Sequence, residues 1–177
     1  MKRIFWVVAA ALTLAACDTF TVAPYGISPD NNLALKSALG DQNVAVGPFA
    51  MQAKVDASCR AAGPIRLPGD TTFEAYIQKA FTDELKLAGR YDPQSPVTLT
   101  GKITELRFSS TSGSWDIAVT LDSSNGKTLS TSEHYEFHTS YTAVSACHNV
   151  ADAFQPAVQA LIAKVVAAPN FRQMALK

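Results

Sequence analysis

The first seventeen residues limit what can fold, because they decide how much chain remains and where it folds. A positive start at Lys2 and Arg3 is followed by an apolar run of 11 residues, 4–14, in which only Thr13 is polar, and then by two alanines and Cys17. These are the parts of a secretory signal with its cleavage site. A membrane-spanning helix needs about 20 apolar residues, so this run is too short to be one. The sequence therefore predicts that residues 1–16 are a signal peptide that is removed during export.

The end of this stretch, Leu14-Ala15-Ala16-Cys17, resembles the lipobox of bacterial lipoproteins. The resemblance implies that Cys17 becomes the mature N-terminus and carries a thioether-linked diacylglycerol, usually with an amide-linked acyl chain such as palmitate. Two or more acyl chains hold a protein stably on a bilayer. Two alternatives remain on the residues alone: an ordinary signal peptide with a cysteine there by chance, and a buried N-terminal helix.

The same resemblance implies a location in the cell envelope, on the inner or the outer membrane and facing the periplasm. Asp18 follows the cysteine, and in enterobacterial lipoproteins an aspartate there is a retention signal for the inner membrane. The residue at this position has a different meaning in other bacteria, so the sequence does not decide between the inner and the outer membrane. Residues 17–27 have no hydrophobic period and predict a lipidated N-terminus with a spacer. Residues 28–177 then make up a single α+β periplasmic domain.

Composition restricts the possible partners of the exported chain. Removing residues 1–16 from the 177 leaves 161, enough for one domain with a real core. The 15 basic and 15 acidic residues become 13 and 15 without Lys2 and Arg3, a net charge of −2 by this count. The absence of a basic tract in the sequence disfavours nucleic-acid binding. It also leaves membrane attachment to the acyl chains.

Two further cysteines, Cys59 and Cys147, are predicted to form a disulfide, because an even pair in an exported chain meets an oxidising compartment. The bridge spans 147 − 59 = 88 residues. The chain-entropy argument gives at most about 4–5 kcal/mol of stabilisation for a loop of that size. The alternative is a pair of buried free thiols.

Capping residues and apolar spacing predict three helices. Ser28 followed by proline begins a short one, whereas Thr71 and Glu74 match a capping box for the second. Pro156 is predicted to kink the third. The predicted helices cover residues 28–40, 71–89 and 145–167.

Alternating apolar residues predict four strands. The first ends at Pro48 or lies at a sheet edge, since proline cannot donate to a ladder. The others form an antiparallel meander, with a bulge near Glu105 and a hairpin at Asn125-Gly126. Residues 57–70 lie between the first predicted strand and the second predicted helix. They are predicted to form a long loop that a disulfide at Cys59 holds in place. The predicted strands cover residues 43–49, 97–108, 115–121 and 127–141.

This order of elements predicts the α+β class: a two-layer sandwich in which a four-stranded, mainly antiparallel sheet carries two long helices on one face, plus a short N-terminal helix. With the lipobox, it resembles small periplasmic lipoproteins that act as accessories in envelope assembly and transport, including the lipopolysaccharide-assembly and transport-auxiliary families. No motif in the body of the chain matches these families, so no functional residue is carried over from them.

His134, Glu136 and His138 are the candidate metal ligands, because alternate residues of a strand share one face. The outer histidines are four residues apart, which is too wide for both rings to bind one ion unless the strand bends. No third ligand clusters with a pair of these candidates in the sequence. The favoured interpretation is therefore that they form a polar outer face of the strand, opposite Tyr135 and Phe137.

Motifs for other chemistries are missing from the sequence. It contains no Gly-x-Ser-x-Gly elbow, no glycine-rich phosphate loop and no His-Glu-x-x-His. Asp83 and Glu84 are adjacent, so they point to different sides of their helix. The sequence therefore predicts a protein that is not an enzyme and needs no cofactor.

Two functions stay open for the domain. The first is a non-catalytic lipoprotein that binds or scaffolds another envelope protein through a polar outer sheet face with Thr120, Thr131 and Ser132. The second is a binding module for a small apolar or lipidic ligand held between helices and sheet. A deep apolar pocket favours the second function, and a filled core favours the first.

Overall fold

A four-stranded sheet carries its two long helices on one face, which confirms the predicted α+β sandwich. The computed structural model describes residues 19–176, so Cys17 and the predicted signal peptide lie outside the described residues. In chain order the elements are β1 (Phe20–Thr21), α1 (Pro29–Leu39), β2 (Ala45–Met51), β3 (Ser58–Cys59), β4 (Gly63–Arg66), α2 (Phe73–Leu87), β5 (Thr98–Ser109), β6 (Ser114–Ser123), β7 (Thr128–Glu136), α3 (Ala143–Ala167) and α4 (Phe171–Met174).

The strand order in the large sheet is β2-β5-β6-β7. The meander β5-β6-β7 is antiparallel, whereas the edge strand β2 runs parallel to β5. The predicted bulge is confirmed by a register shift between Ile103 and Glu105. The predicted hairpin is confirmed as well: Gly126 has a φ of 83° and donates its N–H to the Ser123 carbonyl.

Helix starts follow the caps, with one error in the prediction. The Ser28 side chain caps α1 as predicted. In α2 the cap is Thr72, whose hydroxyl accepts the Ala75 N–H, so the predicted capping box at Thr71 is wrong. The reason is a 3-10 turn at Pro68–Asp70, which takes Thr71 as its own C-cap and delays the helix by one residue.

A small second sheet, in the order β1-β4-β3, is the main feature that the sequence did not predict. The segment 57–70, predicted as a loop, contains the hairpin β3-β4. The predicted disulfide between Cys59 and Cys147 is confirmed and ties this hairpin to α3.

The prediction of a spacer before residue 28 is wrong for residues 19–27. Phe20 and Thr21 form β1 and pair in parallel with Ile65 and Arg66. Phe20 and Val22 are fully buried, so burial of apolar side chains holds the segment in the fold. The folded domain therefore begins almost immediately after the position of Cys17.

One hydrophobic core joins both sheets and the helices. At its centre the rings of Trp115 and Phe154 lie 4.7 Å apart, and the Trp115 indole N–H donates to the Val150 carbonyl at 2.9 Å. The helix α3 is long and apolar enough to cross a membrane, but 56% of its most apolar window is buried inside the fold. That burial is typical of the core helix of a globular domain.

Candidate functional site

The uncovered face of the large sheet is the first candidate surface, and it is polar. The strands alternate, so every second side chain points away from α2 and α3. Thr120 and Ser132 lie on this side, as predicted, whereas Thr131 does not. Thr131 pairs with the buried Val119 and faces the helices, so its predicted place is wrong. We use the name outer sheet face for the surface formed by Lys102, Glu105, Arg107, Asp116, Ala118, Thr120, Asp122, Thr128, Ser130, Ser132, His134 and Glu136.

A chain of charges orders one half of the outer sheet face. Asp116 Oδ1 lies 2.6 Å from His134 Nδ1, and Asp116 Oδ2 lies 3.4 Å from Arg107 Nη2. Arg107 also donates to Glu105 at 2.6 Å. The hydrogen bond and charge of Asp116 raise the pKa of His134 above its ordinary value. This half of the face therefore carries a fixed pattern of both charges.

The other half is ordered by a second set of polar contacts. Lys102 Nζ lies 2.7 Å from Asp122 Oδ2, and the Thr128 hydroxyl donates to Asp122 at 2.8 Å. These two donors hold the pKa of Asp122 below its ordinary value. Between the two halves, the hydroxyls of Thr120 and Ser130 lie 2.8 Å apart. Neighbouring side chains thus fix one another across three strands.

The structure separates His138 from the other two candidate metal ligands, His134 and Glu136. His134 and Glu136 share the outer sheet face, with 3.7 Å between Nε2 and Oε1. His138 lies beyond the end of β7, where its carbonyl accepts a hydrogen bond from Asn149. Across residues 19–176 no three histidine, cysteine, aspartate or glutamate side chains group around a possible metal position. The second ring nitrogen of His134 is already occupied by Asp116.

A buried carboxylate on α2 holds the N-terminal segment. Glu84 is fully buried, and its Oε1 accepts the Tyr25 hydroxyl at 2.6 Å and the Ser28 N–H at 2.8 Å. The Tyr76 hydroxyl donates to the Ala23 carbonyl at 2.9 Å. Burial, with the Glu84 hydrogen bond, raises the pKa of Tyr25 far above its ordinary value, so the phenol stays a neutral donor.

Sequence reasoning missed this contact, although one signal was available. Glu84 lies between Phe81 and Leu85, within the apolar stripe that α2 turns toward the core. A carboxylate in such a stripe needs buried donors, because an unpaired buried charge is costly. The donors come from a segment more than fifty residues away, and no local pattern identifies them.

The second candidate surface lies where the disulfide joins β3 to α3. Arg60 follows Cys59 and donates to Ser110 Oγ and the Ser140 carbonyl, each at 3.0 Å. We use the name disulfide end for the surface formed by the turn 60–62, the turn 110–113 and the segment 139–144. It contains a groove of about 600 Å³ lined by Arg60, Thr111, Thr139, Ser140 and Tyr141.

The fold and these surfaces define an α+β domain with one covered and one uncovered sheet face. No family model matches the chain, and no curated protein matches its sequence. Among solved structures, the chain is similar to a Xanthomonas campestris protein assigned to family DUF330, at 14% identity over 84% of this chain and 92% of that one, with a TM-score of 0.48. At these values we take neither function nor site residues from that protein.

Proposed function

We propose that the chain is a bacterial lipoprotein, anchored to a membrane through lipid on Cys17 and facing the periplasm, that binds another envelope protein through the outer sheet face. In this proposal it is not an enzyme and acts by holding its partner. The lipobox residues support the anchor, and the disulfide suits an oxidising compartment.

The observation that carries the proposed binding role is the order within the outer sheet face. Asp116, His134 and Arg107 fix one another, and so do Lys102 and Asp122. Groups held in place before binding lose less conformational freedom when a partner arrives. Interfaces between separately folded proteins are about as polar as the rest of the surface. A polar, pre-ordered sheet face fits such an interface.

The alternative, a small apolar ligand between helices and sheet, has less support. The cavity between these layers measures about 10 Å³ and is lined by Phe49, Ile77, Phe81, Val119, Leu121, Leu161, Ile162 and Val165. That volume is about that of a single water-sized probe. A lipid or other apolar ligand therefore needs the helices to move away from the sheet.

A photo-crosslinking amino acid at position 118 tests partner binding in cells of the bacterium that makes the protein. Ala118 points outward from β6 at the centre of the outer sheet face. The matched control places the same amino acid at Lys36, an exposed position on α1. We expect one reproducible crosslinked protein from position 118 and none from position 36, and Arg107→Glu should weaken that crosslink. Equal crosslinking from both positions, or none from position 118, contradicts the proposal.

A further inference from the structure

We propose that the disulfide end faces the bilayer and rests on its phospholipid headgroups, so that the membrane and the outer sheet face meet different sides of the domain. This inference deepens the proposed anchoring at Cys17 and rests on it. Three observations lead to it: the short distance to the anchor, the direction of β1 and the exposed side chains at this end.

Chain length alone limits the distance between Cys17 and the folded domain. A chain spans at most about 3.6 Å per residue, so the Cα atom of Cys17 lies within about 11 Å of that of Phe20. Phe20 is fully buried, and its ring packs 5.0 Å from the ring of His148 on α3. A lipid on Cys17 therefore brings the side of the fold around Phe20 to the membrane surface.

The direction comes from strand pairing. Phe20 pairs with Ile65 and Thr21 with Arg66, in parallel. Moving from Thr21 toward the N-terminus therefore means moving along β4 toward Gly63, which pairs with Cys59. That direction leads to the turn 60–62, which is part of the disulfide end.

The side chains at this end suit a headgroup layer. Tyr141 is fully exposed, and Val144, in the first turn of α3, is 43% exposed. Tyrosine is enriched at membrane–water interfaces, where its ring lies among headgroups. The acceptors that hold the Arg60 guanidinium, Ser110 and Ser140, are neutral oxygens, so they leave its positive charge available to headgroup phosphates. The exposed Thr111 of the groove adds a hydroxyl donor, whereas the Thr139 hydroxyl donates to the Ser110 carbonyl.

The opposite end of the sheet supplies a control position. Leu87 is 56% exposed at the end of α2. Nearby, the Arg90 carbonyl accepts the Val44 N–H beside the start of β2. The strand β5 runs from this end to the disulfide end, and its 12 residues span roughly 40 Å. A tryptophan at position 87 is thus far from any bilayer that touches position 141.

Tryptophan quenching in vesicles tests the orientation. Trp6 leaves with the predicted signal peptide, so the mature protein has one native tryptophan, the buried Trp115, as background. The variants Tyr141→Trp and Leu87→Trp are purified as full-length processed protein from membranes and reconstituted in phosphatidylethanolamine–phosphatidylglycerol vesicles. The vesicles contain phospholipids with a nitroxide on the headgroup, which quenches fluorescence at short range.

We expect Tyr141→Trp to be quenched at least twofold more than wild type, and Leu87→Trp to match wild type. Acylated protein in which Tyr141→Trp is quenched no more than Leu87→Trp overturns this inference alone. A mass spectrum without acyl chains on Cys17 overturns the proposed anchor, and this inference with it.

Discussion

Glu84, buried on α2, accepts the Tyr25 hydroxyl at 2.6 Å and so holds the start of the folded chain against the helix layer. Tyr25 follows the predicted lipid position by only eight residues. This contact makes the N-terminal segment part of the domain. The proposed lipid on Cys17 would therefore be coupled directly to the orientation of the fold.

Tyr25→Phe should lower the free energy of unfolding by about 1–3 kcal/mol, because it removes a hydrogen-bond donor from the buried carboxyl group of Glu84. Urea unfolding followed by circular dichroism measures the change. The control is Tyr141→Phe at a fully exposed position, which should stay within about 0.5 kcal/mol of wild type. Equal stability of the two variants would show that Glu84 does not hold the segment.

Reduction of the disulfide between Cys59 and Cys147 should destabilise the domain, by up to about 4–5 kcal/mol for a closed loop of 88 residues. The cause is the larger conformational freedom of the unfolded chain once the bridge is open. Urea unfolding with and without reductant gives the difference. A Cys59→Ser, Cys147→Ser double variant should not respond to reductant. An unchanged wild-type midpoint under reduction contradicts a stabilising bridge.

Asp116→Asn should lower the pKa of His134 toward its ordinary value, because the variant removes the charge that favours the imidazolium. Titration of the ring by NMR measures this pKa. Asp122→Asn is the matched control, since Asp122 lies on the same strand and face but contacts Lys102 and Thr128. A His134 pKa that both variants leave unchanged refutes the pairing.

The same pair gives a sign for the dependence of stability on pH. The pKa of His134 is raised in the folded state, so its stabilising contribution is fully present below about pH 6.5, the unfolded value. The contribution is lost as the pH rises through the higher folded value. Wild type should therefore lose the part of its advantage over Asp116→Asn that comes from His134 on alkaline titration, as read from urea midpoints across pH 5–9, and keep the part that comes from Arg107.

Gly113→Ala should destabilise the domain more than Gly126→Ala, although both glycines have positive φ angles, 78° and 83°. A Cβ at Gly126 meets open space, whereas one at Gly113 overlaps the carbonyl oxygen of Phe137. The left-handed conformation costs both variants roughly 1–2 kcal/mol, and the overlap adds about 1–3 kcal/mol for Gly113. Thermal unfolding of the two proteins compares these costs, and equal losses would contradict the close approach.

Local rules predicted the elements whose signals lie close together in the sequence. The Ser28 cap, the bulge before Glu105 and the Asn125-Gly126 turn are each defined by a few neighbouring residues. The disulfide was predicted because compartment and cysteine number left Cys59 a single partner. The fold class followed from the order of these elements.

The features that were missed depend on long-range contacts. β1 has two residues and forms only because Ile65, more than forty residues later, offers a partner. The sequence predicts Tyr25 to lie in a spacer, because its acceptor, Glu84, is on another element and no local pattern links the two residues. The sequence-based prediction places Thr131 and Ser132 on the same outer face, but neighbours on a strand point to opposite faces. The pairing of Thr131 with Val119 shows that Thr131 is the one that faces the helices.

The mass of the N-terminal peptide of the protein purified from membranes shows whether Cys17 carries the proposed lipid. We predict a chain that begins at Cys17 and carries a diacylglyceryl group with an additional acyl chain, and a Cys17→Ser variant that is not acylated. An N-terminus at another residue, or an unmodified Cys17, rules out the proposed anchor.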